Sequence, residues 1–225
     1  MLSNPQKRLT PLQWKVLKEF FSAPVSAPFF LTGGTALSGF YFGHRTSIDL
    51  DFFSLESLDK SRLKSHLEKI SKQVKGVYRI KTDSDTLLTG FVEIGKSSLK
   101  VDVVQDIPVH FGEFQVDESI RVDSLENIGS NKITAIYGRS DAKDFIDLYW
   151  ILERDGKQKF EQLLKDAKKK DVGIADFHLG QIFLNPPEDK LFQQTTPAIT
   201  PQAIKKFFFE LGTELLKTAK RPEFG

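Results

Sequence analysis

The segment that decides the fold is Leu31–Phe53, LTGGTALSGFYFGHRTSIDLDFF. Phe29-Phe30-Leu31-Thr32 reads as a short buried strand halted by Gly33-Gly34. Thr35–Phe42, TALSGFYF, then reads as a helix ended by Gly43. Ser47–Phe53 alternates apolar and polar residues at period two, which predicts a strand with one acidic edge and one apolar face. Ile48, Leu50 and Phe52 are expected on the core face. Asp49 and Asp51, two apart, then point to the same side. Neighbouring carboxylates repel unless something positive lies between them. A hard divalent cation such as Mg²⁺, which takes carboxylate oxygens and keeps waters, resolves that repulsion. A bare D-x-D is more often a solvated strand face, so the reading depends on what surrounds it.

Two surrounding features point toward chemistry. Gly33 and Gly34 lie between strand and helix, where the amides of the turn and of Thr35 and Ala36 can face an anion. Glycine lets backbone approach a phosphate closely, and Thr35 adds a hydroxyl donor. Farther along, Asp102 interrupts the otherwise apolar strand Leu99-Lys100-Val101-Asp102-Val103-Val104, where an unpartnered carboxylate is costly. If that strand lies beside the Asp49–Asp51 strand, three carboxylates converge. Such a trio suits two metals bridging a phosphate, with one acid able to activate a hydroxyl.

Taken together, G-G-T-A-L at 33–37, H-R-x-S-x-D-L-D-F-F at 44–53 and the later Val101-Asp102-Val103 resemble the DNA-polymerase-β-type nucleotidyltransferase superfamily. Within it the resemblance is to the AbiEii/AbiGii toxins of type IV toxin–antitoxin systems. The resemblance implies an α/β (α+β) fold: a polymerase-β-like core with a mixed sheet, followed by a C-terminal helical region. It implies that Gly33, Gly34 and Thr35 hold the triphosphate of an NTP, and that Asp49, Asp51 and Asp102 bind Mg²⁺, with Mn²⁺ as an alternative. Asp102 also helps to deprotonate the acceptor hydroxyl. His44 and Arg45 are placed at the nucleotide site, with Arg45 able to bind phosphate or pair with an acid.

The same group is similar again at Asn131–Arg139 and Lys143–Trp150. It implies that Lys132 reaches nucleotide phosphates and that Asp147 orients Lys132 or assists the acceptor. Asp147 breaks an apolar run, so it needs a partner, for which Lys132 or Arg139 is the natural candidate. Asp144 reads as an acid in a first helical turn, where the helix dipole favours it. The expected activity is transfer of an NMP to an acceptor hydroxyl on tRNA, with a cognate antitoxin as partner. The alternatives are a small-molecule or protein hydroxyl as acceptor, or a catalytically silent RNA- or protein-binding module.

The rest of the chain frames these motifs. It has 225 residues, 32 Lys+Arg against 30 Asp+Glu, a net charge of +2 and no Cys. The absence of Cys excludes disulfides, thiolate catalysis and Cys-ligated zinc. The near balance argues against holding nucleic acid by bulk charge, though not by a local patch. No apolar leader or membrane-spanning run is evident, so a cytoplasmic protein without membrane contact is expected. Helices are predicted at 10–21, 57–74, 124–137, 141–152, 157–170 and from Thr200-Pro201 onward. Strands are predicted near 86–94, 98–104 and 109–116, with a turn at Gly95-Lys96. The chain thus divides into an α/β half, 1–118, and a helical half, 119–225. The Lys-rich helix KQKFEQLLKDAKKK reads as a solvated face, or as a basic patch for an RNA acceptor.

Overall fold

Thr10 opens the first helix, α1 (Pro11–Phe21), with a reciprocal cap: Gln13 N–H donates to the Thr10 hydroxyl at 3.1 Å, and Thr10 N–H donates to Gln13 Oε1 at 3.0 Å. The computed structural model describes residues 8–187 and 190–219. The chain forms two compact units, one through Ser124 and one beginning at Leu125. The division falls beyond residue 118 because the last strand of the sheet runs to Val122 and pairs with the first.

In the first unit β1 (Phe29–Thr32) is buried along its length and leads into α2 (Gly33–Ala36), which continues as a π-helical turn, Leu37–Tyr41. Then come β2 (Leu50–Ser54), α3 (Lys60–Gln73), β3 (Val77–Ser84), β4 (Leu87–Ile94), β5 (Ser97–Gln105), β6 (Gln115–Asp117) and β7 (Ile120–Val122). They build a seven-stranded mixed sheet in the order β3-β4-β5-β2-β1-β7-β6. The pairs β2–β5 and β1–β7 are parallel, whereas β1–β2 and β4–β5 are antiparallel. Leu50 and Phe52 of β2 and Val101 and Val103 of β5 are fully buried. Phe20 of α1 stacks on Phe52, ring centroids 3.8 Å apart. Full burial of each such side chain contributes about 1.5–3 kcal/mol, so this face holds the strand pair in place.

Some elements differ from expectation. Ile48 is 70% exposed, so it does not pin the acidic strand; Leu50 and Phe52 do, and β2 starts only at Leu50. Residues 109–116 are not one strand, since only Gln115–Asp117 pairs, with β7. The edge strand β3 is exposed at nearly every position, so its side chains carry no burial pattern to read.

The second unit is helical: α4 (Leu125–Arg139), α5 (Ala142–Asp155), α6 (Lys159–Lys170), α7 (Asp176–Leu184) and α8 (Pro201–Thr218). Phe145, Phe183 and Phe208 meet edge-on or tilted in its core. Gly180 and Gly212 let α7 and α8 approach: a Cβ on Gly212 would lie 2.8 Å from the Gly180 carbonyl oxygen. Among the described residues, no helix is long and apolar enough to cross a membrane.

Candidate active site

The parallel pairing of β2 and β5 sets Asp51 directly beside Asp102, their Cα atoms partners in the register. Lys100 lies two residues before Asp102, so Asp51, Lys100 and Asp102 share the sheet face opposite Leu50, Phe52, Val101 and Val103, while Asp49 immediately precedes β2. The partner that the sequence required for Asp102 is Lys100, whose Nζ lies 2.5 Å from Asp102 Oδ2, while the Thr89 hydroxyl donates to Oδ1 at 2.7 Å. Burial works to lower the Lys100 pKa, but the hydrogen bond to Asp102 and the charges of Asp102, Asp49 and Asp51 outweigh it and raise the value. Lys100 thus feels all three acids. Nothing in the sequence pattern marked Lys100 or Thr89 beyond their place on the same strand faces.

Gly33 seats the second acid. It adopts φ +70°, and a Cβ there would stand 2.7 Å from Asp51 Oδ2. The Asp51 carboxylate therefore rests in a cradle that only glycine leaves open. Thr32, just before Gly33, is the register partner of Asp51 across the antiparallel β1–β2 pair. At Gly34 the Arg45 guanidinium and the Ser47 hydroxyl occupy the space a Cβ would need, Ser47 Oγ at 3.0 Å. Arg45 thereby brings positive charge against the glycine turn.

Thr35 is fully buried, and its Oγ1 lies 2.5 Å from the Asp49 carbonyl oxygen and 2.9 Å from Ser47 Oγ. Its hydroxyl ties the glycine turn to the backbone of Asp49. His44 is also fully buried, its ring edge-on to Phe42 at 5.7 Å.

In the second unit Lys132 is buried, with Nζ 2.8 Å from Asp144 Oδ1 and 2.6 Å from Asp147 Oδ2. Both carboxylates are fully buried. Arg139 joins from the other side, its Nη2 2.8 Å from Asp144 Oδ2. Asp144 is therefore more than a first-turn acid: it links Lys132 and Arg139. Asp141 precedes α5 without a side-chain cap and pairs with Arg139 at 3.2 Å. The lysines that end α6 are also engaged: Lys168 with Asp176, Lys169 with Asp166, and Lys170 with the side-chain oxygens of Asn127 and Asn131. Those partners weaken the case for a basic RNA patch on this helix.

As they stand, no three His, Cys, Asp or Glu side chains among the described residues form a group that could hold a metal ion. The donor chemistry nonetheless fits a hard divalent cation: carboxylates on adjacent strands, one of them cradled by glycine, on a face where a lysine now offsets part of the charge.

A helix-opening glycine turn at the first strand pair, with an acid on the parallel strand beside it, is the arrangement implied by the resemblance to polymerase-β-like nucleotidyltransferases. Comparison gives the particular family: the model for the nucleotidyl transferase AbiEii toxin, type IV TA system, matches residues 15–221, and the chain belongs to that family. An uncharacterized protein of Aquifex aeolicus (strain VF5) is 24% identical over 195 residues, which cover 85% of this chain and 90% of that one. Among solved structures, JHP933 from Helicobacter pylori matches with a TM-score of 0.60 at 21% identity, over 96% of this chain and 94% of that one. The antibiotic-resistance factor ANT(2'')-Ia matches with a TM-score of 0.51 at 16% identity, over 76% of this chain and 95% of the other. At these identities the two structures speak to the fold alone. The chain is a nucleotidyltransferase by its family.

Proposed function

We propose that the chain transfers an NMP from an NTP to an acceptor hydroxyl, with Mg²⁺ or Mn²⁺ held by Asp49, Asp51 and Asp102. The observation that carries this reading is the register of β2 and β5, which sets Asp51 beside Asp102 while Gly33 cradles the Asp51 carboxylate. The divalent ion, when bound, neutralises charge on the phosphates and lowers the pKa of a coordinated hydroxyl. The chain's own residues do the rest. The turn at Gly33-Gly34 and the Arg45 guanidinium receive the triphosphate, combining close backbone approach with a fixed positive charge. Thr35 and Ser47 hold the Asp49 backbone against that turn. Asp102 takes the proton of the acceptor hydroxyl, oxygen attacks the α-phosphorus, and the bond to pyrophosphate breaks. Lys100 balances Asp102 until the site is filled.

The acceptor we favour is the 3′ end of tRNA, and the setting a growth-blocking toxin with a cognate antitoxin; membership of a type IV toxin–antitoxin family supports the toxin and antitoxin part of this reading. Lys132, oriented by Asp147 and Asp144, enters the proposal as a further basic group of the reaction. The test is incubation of the protein with each α-labelled NTP, Mg²⁺ and total RNA. Label on tRNA-sized species, lost in Asp49→Ala/Asp51→Ala, supports the reading. Label only on protein or on a small molecule transfers it to another acceptor, and label nowhere overturns it.

A further inference from the structure

Thr32 stands at the N-cap position of α2 with extended backbone, φ −129° and ψ −169°. A threonine there ordinarily caps an amide of the first turn with its own oxygen. Here it makes no side-chain cap; its hydroxyl donates instead to Asp123 Oδ2 at 2.5 Å. Asp123 follows β7 directly and is fully buried. Its Oδ1 accepts the Ser124 N–H at 2.8 Å and lies 2.9 Å from His110 Nε2. His110 is itself seated against Phe114, ring centroids 4.2 Å apart.

The backbone of Asp123 works the same region. Its N–H donates to the Leu31 carbonyl at 2.9 Å, and its own carbonyl accepts the Tyr41 hydroxyl at 2.6 Å. Leu31 and Thr32 end the strand that enters the glycine turn, and Tyr41 ends the helical segment that leaves it. One buried residue is therefore bonded to both sides of the turn. The segment it clamps holds a π-helical turn, a geometry less stable than regular helix and found most often at functional sites. A buried carboxylate must be satisfied by its donors, so their positions are fixed with it.

We propose that Asp123, seated by His110, is a positioning residue for the transfer reaction: through Thr32 and Tyr41 it fixes the Gly33–Ala36 turn in the form that receives phosphate and cradles Asp51. This rests on the reading of that turn as the triphosphate site. It adds a residue that lies outside every motif of the sequence. Asp123 touches no reacting atom; it acts through the turn.

Thr32→Val and Tyr41→Phe each remove one bond of the clamp and leave the Asp123 carboxylate in place. The probe is tripolyphosphate with Mg²⁺, which carries the phosphates and no base. Titration calorimetry is expected to give binding weakened about tenfold in the double variant, since hydrogen bonds to a charged group or its neighbours are worth this much. Thr32→Ser, which keeps the hydroxyl, is expected to bind like the wild type. Amide hydrogen exchange at 33–36 should quicken in the double variant while the amides of β4 hold. Exchange at 33–36 unchanged from wild type overturns the proposal, as does unweakened tripolyphosphate binding. If the wild type itself binds no tripolyphosphate, the phosphate reading of the turn fails, and the exchange data alone decide whether Asp123 fixes it.

Discussion

Replacing Gly33 with alanine perturbs the site at one defined atom. The new Cβ would lie 2.7 Å from Asp51 Oδ2, and ordinary van der Waals contact begins at 3.4 Å, so 3.4 − 2.7 = 0.7 Å must be found by moving the carboxylate or the turn. The backbone at φ +70° adds a second cost, about 1–2 kcal/mol for an L-residue held in the left-handed region. A loss of that size lowers the melting temperature by roughly 3–8 °C. Catalysis should suffer more than stability, because a misplacement of about 1 Å at a reacting centre can cost about a hundredfold. NTP-dependent transfer is therefore expected to fall tenfold to a hundredfold, by about that rule. Gly95→Ala supplies the control. Gly95 turns between β4 and β5 at φ +57° with no atom within 4 Å of its would-be Cβ, so it bears the backbone strain without the collision. Gly33→Ala should lose at least as much stability as Gly95→Ala, and the two should differ sharply in transfer. Equal transfer by both would refute the cradle argument.

Other substitutions test separate parts of the molecule. Lys132→Met removes the ammonium shared by Asp144 and Asp147, both fully buried, and should cost about 3–5 kcal/mol in urea unfolding; a loss below about 1 kcal/mol would contradict the ion-pair geometry. Asp49→Asn/Asp51→Asn should abolish Mg²⁺-dependent NTP binding in calorimetry with no loss of melting temperature, because the repulsion between the acids goes with the charges. The Tyr78 hydroxyl is buried with no hydrogen-bond partner among the described residues, so Tyr78→Phe should gain about 1 kcal/mol at neutral pH. Burial first, then the charges of Asp102 and Asp83, raises the Tyr78 pKa above its ordinary value. The folded chain then keeps the proton where the unfolded chain has lost it. That contribution to stability is fully present below about pH 10 and declines as pH rises beyond it, and the Phe variant should show a shallower alkaline decline.

Much of the first unit was legible because its signals are local. The run Phe29–Thr32, the glycine pair and the alternation through Phe53 each follow from a short-range rule, and β1 forms over those four residues. The pairing of Asp51 with Asp102 was only a conditional expectation, since strand order is a long-range property that no local period encodes. Ile48 was misread because alternation gives a face but not where the strand begins; β2 starts at Leu50 and leaves Ile48 outside. Thr35 was read by residue type alone. A hydroxyl in a glycine turn suits a phosphate by type, yet only the fold reveals that the Asp49 carbonyl lies 2.5 Å from it. Asp123 carried no signal at all. Its partners Thr32, Tyr41 and His110 are 91, 82 and 13 residues away, and only the β1–β7 pairing gathers them.

Lys100 explains how an acidic face of this kind persists before any ligand arrives. The charges of Asp102, Asp49 and Asp51 all act on Lys100, which pairs with Asp102. Hydrophobic burial of Leu50, Phe52, Val101 and Val103 prevents the strands from rotating to separate the acids. The repulsion must then be met locally, and an ammonium 2.5 Å from Asp102 meets part of it. Lys100 also sets a condition on filling the site: a cation that takes Asp102 must displace the lysine or share the carboxylate with it.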